Sequence, residues 1–306
     1  MEIYLASVQG FCAGVARAIQ IVDKALAKYG IPLYVYHDIV HNNAVIQEFR
    51  EKGVVFVEDI SGVPFGSPVV FSAHGVSPSI FQKADERNLR IIDATCPLVK
   101  KIHIKAQKLS ETGCQIILIG HKGHQEIIGT AGYIDPGLIH YVQKTEDVQE
   151  LGIERTKPLA YLTQTTLSVS DTSAIINKIK ELYPQVSVPV KGDICFATQN
   201  RQDAVLELAK VCDIIVICGS AHSSNSNRLK EVAVRAGVSA YLVDSANEFS
   251  FEWLKGRKKI GISSGASVPE DVVNKLIDSI KERYPDIPVN RQGSIKEKMH
   301  FSLPEI

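Results

Sequence analysis

The sequence predicts an α/β fold with largely parallel sheets, and three observations lead to that expectation. Short β-rich apolar runs alternate with helical patterns along the chain. Several of those runs end in small polar residues and histidine where an ordinary turn would stand. Three cysteines, Cys12, Cys96 and Cys195, each sit at the junction between a short apolar run and a helical pattern. A similar unit thus recurs three times, weakly by sequence identity. In open parallel sheets ligands bind beyond the carboxyl ends of strands, so three such units facing inward would enclose one central polar site.

Each element has a local reason. Cys12 stands in Ser7-Val8-Gln9-Gly10-Phe11-Cys12-Ala13-Gly14, and Val15, Ala18, Ile19, Val22 and Leu26 follow near helical spacing. The run Tyr34-Val35-Tyr36 ends in His37-Asp38-Ile39-Val40-His41-Asn42, and Val69-Val70-Phe71 ends in Ser72-Ala73-His74-Gly75. Ile91-Ile92-Asp93-Ala94-Thr95 leads into Cys96-Pro97, and Val99, Ile102, Ala106 and Leu109 continue as a helix. Ile116-Ile117-Leu118-Ile119 runs into Gly120-His121-Lys122-Gly123-His124, and Ala160-Tyr161-Leu162 into Thr163-Gln164-Thr165-Thr166. Gly192-Asp193-Ile194-Cys195 precedes a helix marked by Ala204, Val205, Leu208 and Val211. Ile214-Ile215-Val216-Ile217-Cys218 ends in Gly219-Ser220-Ala221-His222-Ser223-Ser224-Asn225-Ser226, and Ile260-Gly261-Ile262 ends in Ser263-Ser264-Gly265-Ala266-Ser267. Expected segments are 13–96, 97–195 and 196–282, the third joined by 1–12, with 283–306 as a C-terminal tail packed on the surface.

Bulk numbers narrow the function. At 306 residues, 45% hydrophobic and 22% charged, the chain is ordinary globular material. Its 34 basic and 34 acidic residues balance, so nothing in the net charge points to nucleic acid or a membrane surface. The start, Met1-Glu2-Ile3-Tyr4-Leu5, lacks a basic segment followed by a long apolar stretch, and the expectation is a soluble cytoplasmic protein. Six cysteines without a secretion signal favour reduced thiols or metal ligands over a disulfide framework. Cys114, Cys212 and Cys218 adjoin apolar runs and read as buried structural cysteines.

Three thiolates from distant segments can hold three irons of a cubane and leave the fourth open to a substrate. Zinc is the competing metal, although its structural sites use four protein ligands, typically at short spacings that this sequence lacks. His41, His74 and His124 lie at strand-end loops and suit a diphosphate as charged hydrogen-bond donors, or metal binding and proton relay as neutral imidazoles. His121 could support them, whereas His37, His103, His140 and His300 read as structural. Ser223, Ser224 and Asn225 precede a helical pattern starting at Leu229, so they could cap that helix or bind an anion there, and Ser267 repeats the design. No phosphate-loop or dinucleotide fingerprint occurs. Glu126 could be a solvated loop carboxylate, but in a cavity beside a metal cluster it could hold a proton near neutral pH and act as general acid. Thr165 could bond the same substrate group.

These residues bring the chain close to a known family. Gly10-Phe11-Cys12-Ala13-Gly14-Val15, Ser72-Ala73-His74-Gly75-Val76, Asp93-Ala94-Thr95-Cys96-Pro97, Gly120-His121-Lys122-Gly123-His124-Gln125-Glu126, Thr163-Gln164-Thr165-Thr166-Leu167-Ser168, Asp193-Ile194-Cys195, Ser223-Ser224-Asn225-Ser226 with Arg228-Leu229, and Gly265-Ala266-Ser267 together resemble the 4-hydroxy-3-methylbut-2-enyl diphosphate reductases, the iron-sulfur enzymes that end the non-mevalonate isoprenoid pathway. The resemblance covers essentially the full length.

It implies a trefoil of three α/β units in pseudo-threefold arrangement around an oxygen-sensitive [4Fe-4S] cluster held by Cys12, Cys96 and Cys195. It also implies that His41, His74, His124, Ser223, Ser224, Asn225 and Ser267 bind an allylic diphosphate, while Glu126, Thr165 and His124 serve catalysis. The implied reaction is a two-electron reductive dehydroxylation giving isopentenyl and dimethylallyl diphosphate. No ferredoxin or flavodoxin domain is fused, so a separate carrier of that kind would bring the electrons. One departure is His222, where the family usually has Asn, which bears on the phosphate subsite. Rival readings are a cluster-dependent hydro-lyase, which needs no reductant, a non-enzymatic iron- or redox-sensing protein, and a zinc hydrolase. No nucleic-acid module is visible.

Overall fold

The computed structural model describes residues 1–187 and 192–306. The chain opens with β1 (Glu2–Ala6), and α1 (Ala13–Tyr29) starts at the residue after Cys12. There follow β2 (Leu33–Tyr36), α2 (Asn43–Glu51), β3 (Val54–Val57), β4 (Pro68–Phe71), α3 (Pro78–Glu86) and β5 (Arg90–Asp93). α4 (Pro97–Glu111) starts at the residue after Cys96, with proline at the position where a missing N–H costs nothing. Next come β6 (Gln115–Ile119), α5 (Gln125–Ala131), β7 (Ile139–Val142), β8 (Leu159–Thr163) and α6 (Val169–Leu182). α7 (Phe196–Ala209) starts at the residue after Cys195, followed by β9 (Ile214–Cys218), α8 (Ser224–Arg235), β10 (Ser239–Val243), β11 (Lys259–Ser264), α9 (Glu270–Arg283) and β12 (Val289–Gln292).

Among the described residues these strands form three sheets, ordered β3-β2-β4-β5, β7-β6-β8 and β10-β9-β11-β1-β12, and every pairing is parallel. The predicted α/β class with parallel sheets is what the chain adopts. Each sheet repeats one plan. Its first strand (β2, β6 or β9) lies in the middle, the second (β3, β7, β10) on one side and the third (β4, β8, β11) on the other. A fourth strand flanks the third in two sheets, β5 beside β4 and β1 beside β11. Beside β8 the same place is marked by a single parallel bridge, Ala160 to Ser187. The chain reverses direction across each sheet between the first and third strands, which is where α/β sheets bind ligands beyond the strand ends.

Compactness divides the chain into two units: Met1–Ala16 with His41–Gln47 and Phe196–His300, and Arg17–Val40 with Glu48–Cys195 and Phe301–Ile306. In the second unit β6 is buried throughout, and its alternating side chains serve two cores. Ile116 and Leu118 pack with Ile102 and Ala106 of α4 and Ile127 of α5, while Ile117 and Ile119 pack with Ile175 and Ile179 of α6. In the first unit β9 does the same: Ile214 and Val216 meet Val273 and Leu276 of α9, and Ile215 and Ile217 meet Val205 and Leu208 of α7 and Leu229 of α8. Each such buried side chain is worth roughly 1.5–3 kcal/mol. This two-sided burial explains why the strands read as continuous apolar runs and not as alternating ones.

Cys114, Cys212 and Cys218 are free and buried, as expected of structural cysteines. Val289–Gln292, inside the segment expected to run as a tail, pairs with β1 as a parallel edge strand. Further along, Glu297 meets Arg201 and Ser302 meets Arg17. Among the described residues no helix is long and apolar enough to cross a membrane.

Candidate active site

Every residue singled out for diphosphate binding or proton handling falls beyond the carboxyl end of a first or third strand. His41 follows β2, His74 follows β4, His124 and Glu126 follow β6, Thr165 follows β8, Ser223–Asn225 follow β9 and Ser267 follows β11. The cysteines share a stricter equivalence. The backbone N–H of Cys12 donates to Ala266 O at 3.1 Å, that of Cys96 to Ala73 O at 3.0 Å, and that of Cys195 to Thr165 O at 3.1 Å. Ala266, Ala73 and Thr165 each stand two residues past the end of the third strand of their sheet. None of these three cysteines is in a disulfide; each is partly exposed and directly precedes a long helix. Cysteine sulfurs are donors that suit an iron-sulfur cluster by their chemistry. Among the described residues no three His, Cys, Asp or Glu side chains are gathered as for a single metal ion.

In the second unit the centre of interest is Glu126, in the first turn of α5 and only 2% exposed. Its Oε1 accepts from Thr165 N at 2.7 Å and its Oε2 from Thr165 Oγ1 at 2.8 Å. Burial is the largest influence and pushes the carboxyl up to about 7; the two Thr165 bonds pull the other way, and the Asp193 charge adds to the rise. His124 caps the same helix, its Nδ1 accepting from Glu126 N at 3.1 Å. That bond leaves Nε2 as the protonated donor of the neutral ring. The His124 ring stands edge-on to His74, with centroids 5.8 Å apart, and Ser72 Oγ lies 3.4 Å from His74 Nδ1.

Two glycines allow α5 this close approach. A Cβ on Gly120 would lie 2.4 Å from Ile127 Cδ1, and one on Gly129 would lie 3.1 Å from Gly75 O. Gly120→Ala should therefore push α5 and Glu126 outward and lower stability by about 1–3 kcal/mol, measurable by urea unfolding.

The first unit holds the hydroxyl and amide cluster. Ser223 caps α8, its Oγ accepting from Ser226 N at 3.3 Å and Ser226 Oγ at 3.1 Å. Ser226 is wedged between Gly219 and Gly265, where an added Cβ would lie 2.2 Å and 2.1 Å from its Oγ. Asn225 is 4% exposed; its Oδ1 accepts from Ala266 N at 2.9 Å, while its Nδ2 has no partner among the described residues. A buried amide donor left so costs about 1–3 kcal/mol, which an oxyanion ligand would offset. Ser267 Oγ donates to His41 O at 3.0 Å, so His41 is held against the loop after β11. His222 is exposed.

Sequence reading passed over Asn42, 2% exposed, whose Oδ1 caps α2 through Val45 N at 3.0 Å and whose Nδ2 has no partner among the described residues. Its signal was its place beside His41. It also passed over Arg201, which is fully buried and for which an isolated helical arginine gives no warning. A cavity of about 590 Å³ lies behind the Cys12 loop in the first unit, lined by Gly10, Phe11, Arg201 and Glu297, and none of the predicted diphosphate residues borders it.

Burial sets two opposed pH dependences in the second unit. Glu126 holds its proton to about 7 against an ordinary 4.5, so the folded state binds the extra proton and stability falls as pH rises from about 4.5 to about 7. His103, stacked on Tyr133 at 4.5 Å, is pushed down by burial to about 4 from 6.5, so it lowers stability as pH falls through that window. Each effect is on the order of 3 kcal/mol at most. The Glu126 contribution should be absent from Glu126→Gln. Subtracting the variant's unfolding free energies from those of the unmodified protein should expose a decline across the Glu126 window, and parallel curves would refute it.

The sequence model described as LytB protein matches residues 3–281. The 4-hydroxy-3-methylbut-2-enyl diphosphate reductase of Saccharophagus degradans is 47% identical over 100% of this chain and 99% of its own length. That of Methylococcus capsulatus is 49% identical, over 100% and 98%. Among solved structures, the E-1-hydroxy-2-methyl-but-2-enyl-4-diphosphate reductase from Plasmodium falciparum superimposes with a TM-score of 0.96 at 37% identity, covering 99% of this chain and 95% of that one. The resemblance drawn from the motifs thus holds over nearly the whole length, and the chain belongs to the LytB protein family.

Proposed function

We propose that this chain reduces 4-hydroxy-3-methylbut-2-enyl diphosphate to isopentenyl and dimethylallyl diphosphate, consuming two electrons and two protons and releasing the hydroxyl as water. Full-length relatives bearing the name of that reductase support the reaction. The observation that carries the mechanism is Glu126: a buried carboxyl, held on both oxygens by Thr165, that keeps its proton up to about pH 7. A general acid works best when its pKa lies near the working pH.

In this reading Cys12, Cys96 and Cys195 hold a [4Fe-4S] cluster. When bound, the cluster supplies electrons and, at its open iron, a Lewis acid for the substrate hydroxyl. Glu126 donates a proton toward the departing hydroxyl. Thr165 Oγ1, already bonded to Glu126, passes or orients that proton, because a hydroxyl both donates and accepts. Protonation at one or other carbon of the allylic unit sets which product forms. His41, His74, His124, Ser223, Ser224, Asn225 and Ser267 bind the diphosphate, which supplies remote binding energy that positions the reacting end. A separate carrier such as ferredoxin or flavodoxin delivers the electrons.

Asn225→Asp keeps the acceptor for Ala266 N and replaces the amide donor with a charge. It should raise KM for the substrate about 10–100-fold at an unchanged melting temperature. The direct test is anaerobic turnover with the diphosphate substrate and a low-potential reductant, with iron, sulfide and the visible spectrum recorded on the same sample. Brown protein that forms both products supports the reading; brown protein without reduction favours a hydro-lyase or sensor, and colourless zinc-loaded protein removes the cluster.

A further inference from the structure

The three cysteine segments are each gripped by a cation, and the grips follow one rule. Arg17, on the helix that follows Cys12, donates from Nη1 to Ala94 O at 3.3 Å and Thr95 O at 3.1 Å, the two residues before Cys96. Lys105, on the helix that follows Cys96, pairs with Asp193, two residues before Cys195, at 3.1 and 3.3 Å. Arg201, on the helix that follows Cys195, donates from Nη2 to Gly10 O at 2.7 Å, two residues before Cys12. Each cysteine's helix thus sends a cation to the segment before the next cysteine, and the third returns to the first.

These contacts are built, not incidental. Arg201 is fully buried, and its Nη1 reaches Ala197 O at 3.0 Å and Glu297 Oε1 at 2.8 Å, so the guanidinium is anchored on both sides. Breaking a buried charge pair of this kind is costly. Asp193 keeps only 8% of its side chain exposed, and its Oδ2 also accepts from Thr163 N at 3.3 Å, tying the Cys195 segment to the end of β8. Arg17 Nε is held by Ser302 O at 2.9 Å.

We propose that Arg17, Lys105 and Arg201 are positioning residues for the cluster: each fixes one ligand loop through the backbone carbonyl or carboxylate two residues before the cysteine. This rests on the reading of Cys12, Cys96 and Cys195 as ligands. The physical need is plain. A ligand loop without its own short-range partner cysteine has no local chelate to hold its sulfur in place, and outer contacts of this kind orient metal ligands. Each of these cations also brings a positive charge to a segment that carries a ligand, and removing it disfavours the more negative, reduced state of the cluster.

The test uses reconstituted full-length protein carrying Arg17→Gln or Lys105→Gln, with Arg17→Lys and Lys105→Arg as charge-keeping partners. Arg201→Lys represents the buried position, where a neutral residue could prevent folding. Lys24→Gln and Lys101→Gln, exposed cations on the same helices, serve as controls. The readouts are the lifetime of the visible absorption under an iron chelator and the midpoint potential of the cluster. The glutamine variants should lose the cluster about 10-fold faster or more, with the potential shifted negative. The charge-keeping variants at Arg17 and Lys105 should recover most of both, Arg201→Lys should shorten the lifetime, and the controls should match the unmodified protein. Wild-type lifetimes and potentials in the glutamine variants would overturn the proposal, as would losses in them that their charge-keeping partners fail to restore. Cys96→Ser, measured alongside, separates the two readings. A full cluster in that variant would sink the ligand assignment itself, whereas a lost cluster there with intact glutamine variants would sink only the bracing.

Discussion

Glu126→Gln should nearly abolish turnover while leaving the cluster and the fold in place. Glutamine keeps the size of the side chain and an Oε1 acceptor for Thr165 N, and its amide can donate to Thr165 Oγ1 where the carboxylate accepted. What it cannot do is release a proton. Loss of a positioned general acid costs about 10²–10⁴-fold. The expected result is therefore a fall of that size in kcat with iron and sulfide content, visible spectrum and melting temperature unchanged. In the unmodified enzyme the rate should decline as pH rises through about 7, where the buried carboxyl gives up its proton, and this limb should be missing from the residual activity of the variant. Near-normal turnover by Glu126→Gln would remove Glu126 from the proton path.

Cys96→Ser should strike the other half of the machinery and spare the acid. Its side chain is partly exposed and its backbone N–H bond to Ala73 O survives the change, so the apo-protein should lose no more than about 0.5 kcal/mol of stability. Serine, however, offers a hard oxygen in place of a soft thiolate, and iron-sulfur clusters select soft ligands. Reconstituted variant should carry well under half the iron and sulfide of the unmodified protein and show no turnover. Pro97, which starts the helix after Cys96, keeps the loop in shape whichever atom stands at the tip. A complete cluster in Cys96→Ser would exclude ligation by Cys96.

Much of the architecture was legible in the residues because buried parallel strands announce themselves. Ile116–Ile119 and Ile214–Cys218 are apolar throughout because helices cover both faces of their sheets. The helices after the cysteines were legible from their apolar spacing, and α1, α4 and α7 each begin one residue past the cysteine. Short strands without that signature were missed as separate elements. Val54–Val57, Ile139–Val142, Ser239–Val243 and Val289–Gln292 lie at sheet edges; each is only four or five residues long, none leads into a cysteine or histidine, and the last is mostly polar.

The residue types that bear chemistry were readable in sequence by kind: three separated cysteines, histidines and hydroxyls at strand ends, and a glutamate beside His124. Their side-chain chemistry is intrinsic, and a strand end is a local event. What tertiary structure alone decided is which partner each group meets. Thr165 lies far from Glu126 in the chain, and only the pairing of β6 with β8 brings its N–H and hydroxyl onto that carboxylate. The rise of the Glu126 pKa to about 7 follows from burial, which no residue carries by itself. Arg201 shows the same limit: as a letter it is one more helical cation, and only the parallel alignment of β1 beside β11, with α7 packed behind, sets it under Gly10. Local chemistry is written one residue at a time, but distances between residues remote in the chain are set by sheet order, and sheet order by which apolar faces can be buried together.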